Sequence, residues 1–324
     1  MASTVGPIGT ATSGRRETAA PEGLRARLAR SFRRNGPGYL FLLPWLIGFF
    51  GLTLLPTIGS LYLSFTDYDL LNPPRWAGAA NYSYAFFEDT RFRSALGVTF
   101  HYVLWSVPLK LIVALALAMA LDRGVRGISV YRAVFYLPSL LGSSVAVAVL
   151  WRQIFGDAGV VNQLIALVGL KGPSWITHPD YALWTLIVLA IWQFGSPMII
   201  FLAGLRQIPQ EVHEAAAMDG AGPARRFFRI TLPLLAPVIF FNLVLQTIDA
   251  FKAFTPAFIV SGGNGSPIDS TLFYSLYLYI EAFANFRMGY AAALAWILLV
   301  MIAIFTAFAF LTSRYWVYYE DEGR

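Results

Sequence analysis

The sequence predicts an all-α integral membrane protein with about six transmembrane helices. Of its 324 residues, 57% are hydrophobic and 13% charged, and the mean hydropathy is +0.59. A chain this apolar has too little polar surface to fold as one soluble core. Six segments approach or exceed the ~20 apolar residues that cross a bilayer: residues 39–65, 95–121, 133–151, 181–205, 234–260 and 288–311. None alternates polar and apolar residues as a barrel strand does, so helices are the expected spanning elements. Pro44, Pro56, Pro108, Pro138, Pro197 and Pro237 fall inside these segments and mark expected kinks.

Residues 1–38 are rich in Gly, Ser, Thr, Ala and Arg and hold no sustained apolar run. They read as a disordered basic tail that is retained, since a cleaved signal would begin with a short apolar core. The transmembrane domain then covers 39–313, with a short tail at 314–324. Arginines cluster in alternate connections: seven in the first tail, then Arg123, Arg126 and Arg132, then Arg206, Arg225, Arg226 and Arg229, then Arg314 and Arg324. The intervening loops hold Arg75, Arg91, Arg93 and Lys171. This asymmetry predicts a multi-pass protein of the cell membrane with both termini cytoplasmic.

Several function classes are disfavoured. The net charge of +6 is spread between apolar stretches rather than gathered on one face, so nucleic acid is not an expected partner. No cysteine is present, which excludes thiolate metal sites and cysteine nucleophiles. His101, His178 and His213 lie far apart without metal-ligand or triad spacing, so no metal, cofactor or catalytic residue is expected. A phosphate-cradling loop needs Gly-Lys-Ser/Thr, and none of Lys110, Lys171 and Lys252 follows a glycine. The chain is therefore not expected to be an enzyme, and any ATP it depends on must be hydrolysed by another polypeptide.

Residues 206–233, between the fourth and fifth spans, are the most informative. Pro209 is placed to open a short helix along the membrane face, and Gly220, Gly222 and Pro223 to end it. Ala215, Ala216 and Ala217 give that helix a smooth patch that another surface can approach closely, with Glu214 and Asp219 at its edge. Glu214-Ala215-Ala216, then Gly220, then Ile230 and Leu232-Pro233 resemble the EAA signature of binding-protein-dependent ABC import permeases. The resemblance implies a six-transmembrane-helix permease domain whose cytosolic coupling helix, with Glu214, Ala215, Ala216, Asp219 and Gly220, docks on an ATPase. It also implies two ATPase subunits, a second permease subunit, expected to be a different chain, and an extracytoplasmic sugar-binding protein. Residues 245–254, 261–263 and 286–293 resemble the carbohydrate branch, of the maltose and glycerol-phosphate type, although its common Gly-Gly-Pro is here Gly262-Gly263-Asn264-Gly265-Ser266-Pro267.

Polar residues inside spans are the expected substrate path. Asn242, Gln246, Asp249 and Lys252 recur along one helical stripe, with Phe251 or Phe254 beside them to stack on a sugar face. The same spacing suits a structural Asp249–Lys252 pair. Trp192, Gln193 and Ser196 form a second group, near Gly195 and Pro197, where the fourth span is expected to bend. Lys110, mid-span, needs a partner, and Asp249 is expected to supply it. Tyr274, Tyr277 and Tyr279, on the outer side, read first as an aromatic belt and otherwise as groups that receive cargo from an external binding protein. The competing reading is an ion-coupled secondary transporter using Asp249.

Overall fold

The computed structural model describes residues 38, 40–122, 127–142 and 144–317. The basic tail other than Gly38, Arg123, Arg126 and the residues from 318 to Arg324 lie outside them. Among the described residues, four helices are long and apolar enough to cross a membrane, and two bent pairs bring the number to six if each pair is one span.

The first, α1 (Leu40–Ser64), contains a π-helical turn at Phe49–Leu54. Pro56, which has no N–H to return to Leu52, follows that turn and accounts for the local loosening. The contact pattern divides the chain into two units after Gly59, and the second, Ser60–Arg324, holds every later element. A two-stranded ribbon, β1 (Thr66–Asp67) and β2 (Arg75–Trp76), pairs antiparallel just past α1.

The organising element is α2 (Thr90–Asp122). Its 33 residues extend about 50 Å at 1.5 Å per residue, longer than the expected span at both ends. It runs through Pro108 without a break. Small buried residues, Ala95, Ala114 and Ala118, let neighbours approach it closely. Packed on it are α6 (Pro179–Trp192), α7 (Gly195–Leu205), α9 (Ala236–Phe251) and α11 (Tyr274–Tyr279).

The expected third span at 133–151 is a bent pair, and its break falls past Pro138, the position where a kink was expected. α3 (Ile128–Leu141) and α4 (Val145–Ile154) meet at 96°, because Gly142 ends the first and Ser144 caps the second, its hydroxyl accepting from the Val147 N–H. A short helix, α5 (Val160–Leu167), follows. The fourth segment bends by 41° between α6 and α7, where Gly195 and Pro197 led us to expect it. In the fifth, the chain interrupts its helix at Lys252–Phe254 before α10 (Thr255–Val260). The last span, α12 (Met288–Ser313), is continuous, and Ile304, Phe308 and Leu311 turn outward from it, as lipid solvation permits.

At the Thr90 end of α2 the loops are clasped by charge. Asp89 is buried; its Oδ1 caps α2 by accepting from the Phe92 N–H at 3.0 Å, and its Oδ2 accepts the hydroxyls of Tyr277 and Tyr290. Burial works against its ionisation, but those donors outweigh it and hold the carboxyl below the usual range. Buried Glu281 pairs with Arg287 at 3.2 Å, and Arg287 lies over the rings of Tyr84 and Tyr290. Arg91 holds Asp269 in a two-pronged pair at 2.8 and 3.1 Å. Tyr274 is also buried, donating to the Leu294 carbonyl at 2.7 Å. Tyr274 and Tyr277 are thus core groups and not an aromatic belt; Tyr279 packs on Phe254, Phe258 and Phe283.

Removing Asp89 strands two buried hydroxyls and a helix cap. Asp89→Ala is expected to lower the stability of the purified chain by about 3 kcal/mol or more, and Asp89→Asn, which keeps one acceptor, by about half as much. Thermal unfolding in detergent measures both; no change for Asp89→Ala would show that the clasp does not hold this end.

Candidate functional site

Three helix breaks converge on one cavity of about 490 Å³. Gly142 from the α3–α4 break, Gln193 from the α6–α7 break, and Lys252, Ala253 and Phe254 from the α9–α10 break all line it. A break frees backbone carbonyls and N–H groups that lipid cannot satisfy, so it survives only where protein supplies partners. At the α3–α4 and α6–α7 breaks the partners are mutual. Ser139 of α3 donates to the Gln193 carbonyl at 3.0 Å and accepts from the Ser196 N–H at 3.0 Å, while the Gln193 side chain donates to the Gly142 carbonyl at 3.0 Å. A Cβ at position 142 would lie 2.2 Å from the Gln193 side chain, so a larger residue there would displace Gln193 from its bond to the residue-142 carbonyl.

The remaining lining is polar on two faces. Tyr102, Ser106 and Lys110, each four residues from the next, come from α2; Gln246 and Asp249 come from α9, with Lys252 just past its end. The cavity therefore offers hydroxyls, amides, two ammonium groups and one carboxylate, with Phe254 as an apolar face. Such a mixed lining binds hydroxylated small molecules by directed hydrogen bonds and ring stacking.

Of the residues expected on the path, Gln193, Ser196, Gln246, Asp249, Lys252 and Phe254 reach this cavity. Three do not. Trp192 packs on Trp151 at 6.0 Å within a small apolar cluster. Phe251 is 1% exposed and sits edge-on to Phe100 and Phe305, turned from the cavity by the helical phase that presents Asp249 and Lys252. Asn242 is fully buried below the lining, with neither amide atom hydrogen-bonded. Lys110 shares the cavity with Asp249 but makes no ion pair with it; Asp249 pairs with Lys252 at 3.6 Å. Ser106, Ser139 and Gly142 were not foreseen, although the Tyr102-Ser106-Lys110 spacing was a readable stripe.

At the Asp122 end of α2 lies the other candidate. α8 (Gln210–Met218) opens after Pro209 and has no buried residue. Its end is a Schellman cap: the Ala221 N–H bonds the Ala216 carbonyl at 2.9 Å and the Gly220 N–H bonds the Ala217 carbonyl at 3.1 Å. This needs the left-handed backbone of Gly220, φ +78°. Glu214, Ala215, Asp219 and Gly220 are exposed and Ala216 is half-buried. Arg206, between α7 and α8, pairs with Asp122 at 3.6 Å.

The family described as "Binding-protein-dependent transport system inner membrane component" matches residues 90–316. The probable ABC transporter permease protein YesP of Bacillus subtilis is 52% identical over 91% of this chain and 96% of its own length. The lactose transport system permease protein LacF of Rhizobium radiobacter is 31% identical over 90% of this chain and 97% of its own. Among solved structures, a bacterial alginate ABC transporter in complex with alginate pentasaccharide-bound periplasmic protein has a chain of the same fold, with a TM-score of 0.77 at 23% identity, covering 89% of this chain and 97% of that one.

The Asp249–Lys252 pair is solvent-accessible, with 69% and 56% of the two side chains exposed. An exposed pair three residues apart contributes little to stability. Asp249→Asn is expected to leave the unfolding free energy within about 0.5 kcal/mol of wild type while lowering transport; a loss of several kcal/mol with transport intact would make the pair a structural strut.

Proposed function

Because the chain belongs to the binding-protein-dependent transport system inner membrane components, we propose that its cavity passes a sugar or oligosaccharide delivered by an extracytoplasmic binding protein. As a permease it is a transport subunit and not an enzyme. The observation that carries the cargo reading is the convergence of three helix breaks on a cavity lined by hydroxyl, amide and charged groups. Discontinuous spans with polar lining are how a membrane protein shelters a hydrophilic solute. Relatives named for lactose and for arabinooligosaccharides support a sugar. Membership of this family leaves no support for the ion-coupled alternative.

In this proposal α8 is the coupling helix. It is exposed, rigidly capped, and presents small side chains flanked by Glu214 and Asp219 to one of two partner ATPases. The carboxylates suit a basic rim on that partner, and the alanines suit close approach. ATPase closure would move α8, and α7 would carry the motion to the α6–α7 break at the cavity, alternating its access. A second permease subunit completes the pathway. The arginines Arg206, Arg225, Arg226 and Arg229 support a cytoplasmic α8 and, with it, cytoplasmic termini.

The test is purification of this chain from gently solubilised membranes, with mass spectrometry of what accompanies it and ATP-dependent uptake by the recovered assembly. A P-loop ATPase and a second permease are expected; the chain alone, active without ATP, would overturn the proposal. Glu214→Arg and Gly220→Val are each expected to leave the protein folded in the membrane and to reduce uptake at least about tenfold, the second by straining the left-handed turn. Normal uptake by both variants would remove α8 from the coupling role.

A further inference from the structure

Among the described residues, Lys110 is the charged group of the cavity without an ion-pair partner. It sits in the middle of α2, half-buried, on the part of the cavity wall that α2 supplies. Among the described residues no carboxylate lies within 4.0 Å of its ammonium, and Asp249, the acid that lines the same cavity, is engaged by Lys252. One turn back, Ser106 lines the cavity with only 2% of its surface exposed, and its hydroxyl has no hydrogen-bond partner. An ammonium within a membrane span is costly unless an anion compensates it, and a buried hydroxyl left unpaired adds to that cost. Two cations and one carboxylate leave the cavity with a net positive charge, and the surplus lies at Lys110 beside a waiting hydroxyl.

We propose that the cargo is anionic, and that its carboxylate or phosphate ester seats against Lys110 with Ser106 donating to a second oxygen of the same group. The remainder of the cargo then lies toward Gln246 and the Asp249–Lys252 pair, whose acceptor and donor atoms suit sugar hydroxyls. A uronic acid residue and a phosphorylated polyol share this anionic chemistry. A neutral sugar of the same shape leaves the ammonium and the hydroxyl uncompensated, which is the asymmetry by which polar sites reject analogues lacking their partner group. Lys110 is thus assigned as a specificity-determining residue. This rests on the importer reading above.

The experiment is uptake by the complete assembly, with its binding protein, in ATP-loaded liposomes. The probes are digalacturonate and dimannuronate, their carboxyl-reduced neutral counterparts, and glycerol phosphate. Wild type is expected to import an anionic probe at least about tenfold faster than the neutral disaccharides, equivalent to about 1.4 kcal/mol of discrimination. The uronate and phosphate arms identify which anion it is. Lys110→Gln is expected to remove that preference and Lys110→Arg to retain it, with recovery of the intact assembly as the folding control for both. Preference for neutral disaccharides in wild type, or a Lys110→Gln variant that keeps the anionic preference, would overturn the inference and leave the importer reading standing. Uptake of none of the probes by an assembly that contains its ATPase would overturn the inference alone, and recovery of an assembly that lacks an ATPase would remove both readings.

Discussion

The cost of an unpaired backbone group in hydrocarbon decides where this molecule can break its helices. Continuous helices such as α2 and α12 satisfy their own ladders and can face lipid anywhere along their length. A broken helix cannot, and the chain breaks its helices where the freed groups have protein partners. The Ser139, Gln193 and Gly142 bonds show the device at its most economical. One hydroxyl serves both sides of the α6–α7 break, and the Gln193 amide serves the carbonyl at the end of α3. The same groups that make the breaks tolerable leave a polar lining, so the cavity is a consequence of the breaks as much as their purpose.

This constraint also explains what could be read from the sequence and what could not. Long apolar runs fix the existence of spans, because lipid rewards each residue independently of what lies across the bundle. Hence the first, second and last spans were recognisable within a few residues. The local chemistry of α8 was equally legible: Pro209 before it and Gly220 after it act through their own backbone angles and need no distant partner. The sharp bend in the third segment was not legible, because hydropathy does not register direction. Gly142 and Ser144 held the signal, a stop and a capping serine, but inside an apolar run they weigh little.

Which way a side chain faces is the harder matter, and it separates the stripe from its neighbours. Gln246, Asp249 and Lys252 share a face with the cavity, while Phe251, between them in sequence, points into the packing of Phe100 and Phe305. Trp192 and Gln193 are adjacent and have opposite fates for the same reason. Tyr277 illustrates the limit. An aromatic near a span end reads as a lipid anchor, and only the fold brings it to Asp89, 188 positions away. Long-range pairing of this kind has no local signature.

The two candidate sites lie at different levels of the bundle, and the connection between them is short. α7 has 11 residues, about 16 Å at 1.5 Å per residue. It begins at the break that lines the cavity and ends at Arg206, three residues before Pro209 opens the exposed helix. Gly204 near its far end lets α9 approach so closely that a Cβ there would lie 2.8 Å from Leu235 and Val238. On the proposed reading, a push on α8 therefore has a stiff element to travel along and a packed contact through which to reach α9, the helix that carries Gln246 and Asp249. The hydrogen bonds of Ser139 and Gln193 then act as the joint: they hold the two sides of the α6–α7 break at a set angle, and their rearrangement is the smallest local change that would let α7 move without exposing its backbone to lipid. A rigid span in place of the bent pair would join the two sites more firmly and leave no angle to change.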